Sequence, residues 1–500
     1  MSKNTKLDKP SKAIQDMRRR WGLLDDLMQG NEAMRQWLLQ EPAENDRNYI
    51  NRSKNTTLFN GLKNTVKTNV GKVFSQNIAI DDNVHPLIRL MLDNVDMESR
   101  DINNFAKEVL KDGLVHGLSC ILVDYTALTP SETLLDEATE RPYWVHIKSE
   151  QLLEVRSEVI NGKECPVYLR FMEYVVDYNA DGDEIEYTQV KVMKYNSVTK
   201  LINWECHRSQ KKDAAYQHVG SLAAVQQSTS NDWALYEQGE IAGLPFVPIV
   251  PFYAERAGFF KATPPLSELA ETNLAHYRSS SDQRNILHIA RVPMLMVKGY
   301  DDVDPATGQR NQIVISPNTV LNLGNDPAAD AKWIEHGGQA IQAGRDDLHD
   351  LEDQMAVQGL ELTVSRSGDM TATEKTINTA AANSQLKSMA MNLEDAIEIA
   401  MKLSAIYFSV PIAQAGNINI NTDFTVAYQG DASMSAVFDM YNNGMISAAD
   451  VVDEAKRRSI LHPERTVVSA VIPPVAEAPS VTDVTNVITQ QETIDNGPEE

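Results

Sequence analysis

The stretch PPLSELAETNLAHYRSSSDQRNILHIARVPMLMVKG, residues 264–299, decides the fold of this chain. Its apolar residues recur at helical spacing, and its two opening prolines fall in a first turn, where no amide donor is needed. Thr263 can cap this helix and Pro293 ends it. The pattern predicts a helix over 264–292, about 43 Å long at 1.5 Å per residue.

The middle of this helix, RSSSDQR at 278–284, is polar on every side. A helix that is polar at mid-length usually faces solvent or a water-filled channel rather than a core. We therefore expect this segment to lie at a wet surface.

A second long helix is predicted over 339–358. Ile341, Leu348 and Met355 stand seven residues apart, with Leu351 between the last two, in a stripe as narrow as a coiled-coil seam. The acids on its other faces are Asp346, Asp347, Asp350, Glu352 and Asp353. At this spacing they are interpreted as a solvated charged face rather than a metal cluster.

Between the two helices, the segments 292–299 and 311–324 have the pattern of strands. They predict a small β insertion over 293–338. Its central turn is DDVDPATGQ, at 301–309.

A loop is predicted over 360–371, after the second helix, because the segment is rich in Ser and Gly. Thr371 and Glu374 then form the capping box T-A-T-E, which marks the start of a third long helix. Its apolar pattern continues to about Phe408.

The residues before the first long helix begin helical and become β-rich. Amphipathic helices are predicted over 13–40, 56–75 and 101–117, with the polar break EPAENDRNY at 41–49. LSCILVDY at 118–125 is typical of a short buried strand.

From about 142 to 253 the pattern changes to β, with apolar or alternating segments bounded by turn residues. LPFVPIVPFYAE at 244–255 closes this region, and its prolines confine it to a sheet edge or a crossing segment. Downstream, 432–465 is mostly helical in pattern, whereas 471–500 holds six acids, no bases and four prolines and is expected to be flexible. The chain is thus predicted to be α+β.

Composition indicates a globular protein with two or three domains, since 42% of the 500 residues are hydrophobic. No apolar run approaches the ~20 residues that span a bilayer, and the polar N-terminus MSKNTKLDKPSK lacks the apolar core of a secretory signal. We therefore expect a protein of the cytoplasm or of a virion, without a membrane partner.

The net charge of −24 is unevenly distributed. Residues 1–75 hold 14 Lys and Arg against 8 Asp and Glu, a net charge of +6, so that the remaining residues carry −30. An acidic body argues against tight nucleic-acid binding, because phosphate contacts need cations. It does not argue against a surface over which DNA slides, although a merely soluble acidic protein has the same charge.

No catalytic motif is visible in the sequence. It has no phosphate-binding GxxxxGK[ST], no HExxH and no GxSxG, and nothing assembles a nucleophile, a base and an orienting group. His116 is interpreted as packed at a helix end, and Cys120 as a small core hydrophobe. With Cys165 and Cys206 the cysteines number three and none form CxxC, so neither a disulfide framework nor a zinc site is expected. We expect no enzyme activity, no metal and no cofactor.

Several long segments of the sequence resemble one portal-like family of tailed bacteriophages, which has long been catalogued only as a domain of unknown function. They are FNGLKNTVKTNVGKVF (59–74), FAKEVLKDGLVHGLSCILVDY (105–125), RPYWVHIKSEQLLEV (141–155), the opening stretch (264–299) and SGDMTATEKTINTAAANSQLKSMAMNLEDAIEIA (367–400). The resemblance covers roughly residues 40–465.

The resemblance implies a portal-type fold with the parts that portal subunits share. These are an N-terminal region and α/β wing (1–263), a first stem helix (264–292), a small β-containing clip (293–338), a second stem helix (339–359), a tunnel loop (360–371), a tunnel helix with a return to the wing (372–430), a helical crown (431–470) and a flexible acidic tail (471–500).

A portal is a ring at one capsid vertex through which DNA enters and leaves the head. The resemblance therefore implies a homo-oligomer of about twelve subunits that contacts double-stranded DNA, the terminase large subunit, a head–tail adaptor and the major capsid or scaffold protein. It places the chain at the portal vertex of a virion, and in the host cytoplasm during assembly. Twelve copies at −24 each would carry −288, and a lumen of that sign keeps DNA from sticking.

The implied channel gives two sets of site residues. The residues nearest the proposed constriction are expected to touch DNA backbone, although each cation among them could also be a solvated cation at a helix end. They are Ser365, Arg366, Ser367, Lys375 and Lys387. The narrow stripe of the second helix is expected to form the oligomer interface. Its members are Ile341, Leu348, Leu351 and Met355.

Two other functions stay open. Another virion interaction protein, such as a head–tail adaptor or a scaffold-associated factor, would lack paired long helices flanking a β insertion. A nuclease-like packaging enzyme would need an acid cluster drawn from strands and a metal-dependent activity.

Overall fold

The chain is α+β, as the sequence predicts, and it divides into two compact units, Met1–Thr422 and Asp423–Glu500. The computed structural model describes residues 7–126, 140–178, 182–209, 233–290, 294–298, 330–334, 338–359, 372–424 and 432–457.

The helices of the first unit are α1 (Lys12–Gln29), α2 (Asn31–Met34), α3 (Asp46–Asn55), α4 (Gly61–Val73), α5 (Pro86–Leu92), α6 (Ile102–His116), α7 (Ser267–Ala290), α8 (Gly338–Gln358) and α9 (Ala372–Tyr407). The strands are β1 (Ala79–Ile80), β2 (Leu118–Tyr125), β3 (Pro142–Ile147), β4 (Leu152–Ile160), β5 (Lys163–Tyr178), β6 (Glu184–Asn196), β7 (Leu201–Ser209), β8 (Trp233–Ile241), β9 (Ile249–Tyr253), β10 (Arg256–Gly258), β11 (Lys261–Ala262), β12 (Met294–Lys298), β13 (Asp330–Ile334) and β14 (Ile418–Asn419).

Two N-terminal predictions are corrected. The single helix expected over 13–40 is broken at Gly30, whose φ of 114° favours glycine, so that α1 is followed by the short α2 and a 3₁₀ turn. The polar break expected over 41–49 already contains the start of α3, because the Asn45 side chain accepts a hydrogen bond from the Asn48 amide and caps the helix.

Helix α6 begins and ends where its sequence predicts. Asp101 accepts a hydrogen bond from the Asn104 amide, and Gly117 ends the helix with a φ of 85°. A Cβ at Gly117 would lie 2.3 Å from the Thr263 carbonyl oxygen. The glycine therefore lets the end of α6 pass directly under the segment that leads into α7.

The core lies around a three-stranded antiparallel sheet of order β3-β2-β9. Strand β2 is buried over nearly its whole length, Cys120 included, because α6 and α9 both pack against it. The Trp144 indole N–H donates to the Ser404 hydroxyl at 2.9 Å and so fixes α9 on the sheet. Strand β9 is an edge strand, as its prolines predict.

A second sheet is a five-stranded antiparallel meander of order β4-β5-β6-β7-β8. It is tied to the first sheet by Lys191 of β6, whose Nζ lies 2.5 Å from Asp124 of β2. Burial lowers the pKa of Lys191, but the Asp124 and Glu173 carboxylates outweigh that effect and raise it. The lysine is therefore held as a cation between the two sheets.

The long helices α7 and α8 are separated by the antiparallel pair β12–β13. Helix α7 begins at Ser267, three residues later than predicted, and the Ser267 hydroxyl donates to the Pro264 carbonyl. The partner of β12 is β13 at Asp330–Ile334, and the strand predicted over 311–324 lies outside the described residues.

The second unit contains α10 (Ala432–Asn442) and α11 (Ala448–Arg457), within the segment predicted to be helical. The Ser447 hydroxyl caps α11 by accepting from the Asp450 amide, and the Ser447 amide donates in return to the Asp450 carboxylate. The predicted tail, 471–500, lies outside the described residues. None of the described helices is both long and apolar enough to cross a membrane.

Candidate functional site

Helices α7 and α8 run antiparallel: successive contacts along α7 meet residues of decreasing number on α8. The contacts are the His276 Nε2 to Glu352 at 3.4 Å, the Ser279 hydroxyl donating to Asp347 at 2.6 Å, and the Gln283 Nε2 donating to the Ile341 carbonyl at 2.8 Å. Polar bonds at three levels hold the two helices in one register.

Gly344 lets the two helices approach closely. A Cβ at this position would lie 2.2 Å from the Oε1 of Gln283. Since Gln283 also donates to the carbonyl of Ile341, one turn earlier on α8, the glycine and the glutamine fit each other across the helix pair.

The four residues of the predicted seam face their own chain to different extents. Met355 is 3% exposed and packs against α4, where a Cβ on Gly61 would lie 3.0 Å from the Met355 sulfur. Ile341, Leu348 and Leu351 are half-buried. The contact of these residues with another copy stays a prediction.

On its other side α7 packs against α3 through Arg52. The Arg52 guanidinium lies 2.7 Å from Glu44 and donates to the Ser281 hydroxyl at 3.1 Å, and Thr56 donates to the same hydroxyl at 2.9 Å. The hydrogen bond to Glu44 raises the pKa of Arg52, and the bond from Arg52 lowers the pKa of Glu44. Both side chains are nearly buried, so this pair is charged and enclosed.

The expectation that the polar middle of α7 faces a wet surface is therefore wrong in part. Ser281 is fully buried and Gln283 is 8% exposed. Arg278, Asp282 and Arg284 are exposed. The serine and the glutamine are polar because they bond neighbouring helices on opposite sides of α7, and not because they meet solvent.

An open groove of about 360 Å³ lies between α7, α8 and the segment before α4. Its lining includes Phe59, His276, Arg284, Leu287, Leu348 and Glu352. His276 is 4% exposed, and its Nδ1 is buried without a hydrogen-bond partner among the described residues. Burial lowers the pKa of His276, although Glu352 opposes the shift, so the imidazole is held neutral.

Only two of the five residues expected to touch DNA belong to the part of the chain that the structure describes. Ser365, Arg366 and Ser367 lie outside the described residues. Lys375 belongs to the first turn of α9, and Lys387 is exposed further along the same helix.

A buried polar cluster around His116 was not foreseen from the sequence beyond its position at a helix end. The His116 Nδ1 lies 2.6 Å from Asp112 and its Nε2 lies 2.8 Å from Asp25. Burial lowers the pKa of His116, but the two carboxylates outweigh it and raise the pKa to about 10. The Ser149 amide also donates to Asp112, so the cluster joins α1, α6 and the turn before β4.

This cluster is a buried ion network. Asp112 and His116 are buried, and the Trp21 indole donates to the His116 carbonyl at 3.1 Å. Within the described ranges, no three His, Cys, Asp or Glu side chains converge as ligands of a metal ion. Such fully partnered charges fix the packing of helices on a sheet.

The sequence also left Arg52 and Glu44 unassigned, since Glu44 lies in the segment 41–49 that was interpreted as a polar break and Arg52 lies between that break and the next predicted helix. A helix starting in this segment could have been predicted from Asn45, which is a good N-cap. The spacing of Arg47, Ile50 and Lys54 at i, i+3 and i+7 is also helical.

One family model matches the chain, with the description Domain of unknown function (DUF4055), over residues 265–408. The matched part runs from the start of α7 to the end of α9 and is under a third of the chain. No curated protein matches.

Among solved structures, similar chains come from gene transfer agent (GTA) particles. A chain of the neck of the native particle, computed with C12 symmetry, has a TM-score of 0.39 at 9% identity, over 78% of this chain and 88% of that one. A chain of the neck of the empty particle, computed with C6 symmetry, has a TM-score of 0.38 at 10% identity, over 80% and 90%. A chain of the virion of the native particle has a TM-score of 0.36 at 10% identity, over 80% and 89%. TM-scores this low do not establish a shared fold.

Proposed function

We propose that this chain is a portal subunit, which forms a ring at one capsid vertex and conducts DNA during packaging and ejection. The observation that carries the proposal is the antiparallel pair α7–α8 around the strand pair β12–β13, followed by the 36-residue helix α9. Stem helices, clip and tunnel helix follow in that order in portal subunits, as the resemblance of the sequence implies.

The wing in this proposal is the body made of the two sheets and α1 to α6. The matched family covers α7 to α9, the part that the proposal assigns to stem, clip and tunnel helix. The crown corresponds to α10 and α11 of the second unit.

A conduit needs weak contacts that do not depend on DNA sequence, and these are contacts to phosphates. We assign them to Arg366, Ser365 and Ser367 in the proposed tunnel loop, with Lys375 and Lys387 on α9. The acidic remainder of the chain keeps the duplex from binding elsewhere in the lumen. Terminase, the head–tail adaptor and the capsid or scaffold protein are the proposed partners, and the proposal includes no catalytic activity.

Mass photometry and negative-stain electron microscopy of the purified full chain test the ring. We expect hollow particles of about twelve subunits. A chain that stays monomeric at every concentration would contradict the proposal.

Particle assembly without this chain separates a portal from a head–tail adaptor. Loss of a portal leaves heads without DNA, whereas loss of an adaptor leaves filled heads that lack tails. Filled heads in the absence of the chain would therefore favour the adaptor.

The channel contact is tested by Arg366→Glu, which reverses one charge per subunit at the proposed constriction. We expect rings to form normally and packaged DNA per head to fall. Arg345→Glu, an exposed reversal on α8, is the matched control and should package a full-length genome. Equal packaging by both variants would place Arg366 outside the lumen.

A further inference from the structure

Helix α3 carries a cationic stripe on the side away from α7. Arg47, Ile50 and Lys54 follow one another at i, i+3 and i+7, so they share one face. Both cations are exposed and have no partner among the described residues, and Ile50 is 48% exposed. Arg52, which bonds α7, is two positions from Lys54 and so points to nearly the opposite side.

Helix α8 carries the complementary stripe, also on the side away from α7. Asp346, Asp350 and Asp353 follow at i, i+4 and i+7, and Val357, 49% exposed, continues the same face. Among the described residues Asp350 and Asp353 have no partner, and Asp346 accepts only from Gln342 of its own helix. Like charges at this spacing repel one another, so an isolated α8 is destabilised by them.

The two stripes of one chain cannot meet each other. Ser281 of α7 contacts α3, whereas Gln283 of α7 contacts α8. Two positions on a helix are about 200° apart, so α3 and α8 lie on nearly opposite sides of α7. The layer α3–α7–α8 therefore presents a cationic outer face at one edge and an anionic outer face at the other.

We propose that these two edges bind each other between neighbouring copies, with the Asp346–Asp350–Asp353 face of one copy against the Arg47–Lys54 face of the next. Each stripe has an exposed aliphatic residue, Val357 or Ile50, that the contact would cover. The contact joins two different surfaces, so it is head-to-tail and extends from copy to copy. It rests on the proposed function, since it describes how the ring would be held together.

The occupant is a second copy because the chain itself supplies both signs. Residues 1–75, which include α3, carry +6, and the rest of the chain, which includes α8, carries −30. Pairing opposite faces removes the repulsion along α8 and gives the unpartnered cations of α3 carboxylate partners.

Charge reversal in the full-length chain tests the contact. One variant carries Arg47→Glu and Lys54→Glu, and another carries Asp350→Lys and Asp353→Lys. Each has two like-charged edges, and we expect at least about a tenfold rise in the concentration needed for ring assembly, since every interface exchanges attraction for repulsion. A chain with all four changes has both signs again, with the edges exchanged, and should assemble as the wild type does.

Mixing the two reversed variants should also give rings, in which the two variants alternate. The matched control is Lys12→Glu with Arg20→Glu, two exposed cations on α1, which should assemble normally. Circular dichroism and thermal melting of each variant show whether the monomer is folded. All are expected to melt near the wild type because Arg47, Lys54 and Asp350 are exposed and Asp353 is only half-buried.

The outcomes separate this contact from the proposed function. If the wild type forms rings and a reversed variant forms them equally well, the contact is wrong while the portal proposal stands. If the four-change chain fails to assemble although it is folded, the two edges do not bind each other. A wild-type chain that never assembles contradicts both proposals.

Discussion

Two buried histidines show how the core around the first sheet differs from the layer of α3, α7 and α8. His116, in the core around the first sheet, is enclosed by two carboxylates and held charged. His276, in the layer of long helices, is equally buried but held neutral, with one weak contact and one nitrogen without a partner among the described residues.

The difference shows in which region the charged side chains have all their partners within one chain. Around His116 every charge has a partner inside the chain. The α3–α7–α8 layer instead has an open groove and two outer stripes of unbalanced charge. Stability should therefore depend mainly on the first region, and assembly on the second.

Removing the carboxylate of Asp112 should have the largest effect on stability. Asp112→Ala leaves a buried charge at His116 with one partner fewer and deprives the Ser149 amide of its acceptor. We expect a loss of about 3–5 kcal/mol in the free energy of unfolding, measured by urea denaturation of the monomer. Asp350→Ala, an exposed aspartate on α8, should change it by less than about 0.5 kcal/mol. Equal losses would mean that the two regions do not differ.

Removing Arg52 should have the next largest effect, because it joins α3 to α7. Arg52→Met leaves Glu44 nearly buried without its cation and takes a donor from Ser281. We expect a loss of about 2–3 kcal/mol in the same measurement. Lys54→Met, which changes an exposed cation on the same helix, is the control and should be close to neutral. A loss below that of the control would contradict the assigned role of Arg52.

Alkaline pH should weaken the core through His116. The pKa of His116 is raised from 6.5 to about 10 in the folded chain, so its contribution is complete below pH 6.5 and is lost as pH rises through about 10. We expect the free energy of unfolding to fall between pH 7 and pH 10.5. His116→Gln should show a smaller fall over this range, and an unchanged slope in that variant would exclude His116 as the cause.

Acidic pH should weaken the helix layer slightly, with the opposite sign. The pKa of His276 is lowered in the folded chain, so its neutral form is favoured and stability falls as pH drops below 6.5. This is the smallest of the four expected effects, because Glu352 opposes the shift. The effect is measured as the protection factors of the α7 amides in hydrogen exchange at pH 7 and pH 5, which correct for the intrinsic exchange rate at each pH. The protection factors of the His276→Gln variant should not differ between the two.

Local signals in the sequence were enough to predict α6 and the edge position of β9. Asp101 and Gly117 are a cap and a stop that act within one turn of the helix, and the prolines near β9 block a central position in a sheet. The long helices are predicted for the same reason, since their periodicity is itself a local property.

What the sequence could not predict depends on contacts between distant residues. Asp25 reaches His116 from 91 positions away, and Arg52 reaches Ser281 from 229. Without those partners Ser281 looks like a solvated serine, and its burial could not be inferred. Met355 of the predicted stripe packs on α4 of its own chain. Of the acids that were interpreted as solvated, Asp347 and Glu352 contact α7, whereas Asp350 and Asp353 have no partner among the described residues.

Gly344 lets α8 lie close to α7, and the proposed contact between copies uses the outer face of α8. In a closed ring the wedge angle of one subunit fixes how many subunits complete the circle, and that angle depends on the spacing of the helices in the layer. A larger side chain at Gly344 would push against Gln283 and separate α8 from α7. The number of subunits in the ring would then depend on the absence of a side chain at Gly344. A variant with a larger residue at this position would reveal it by forming rings with an altered subunit number.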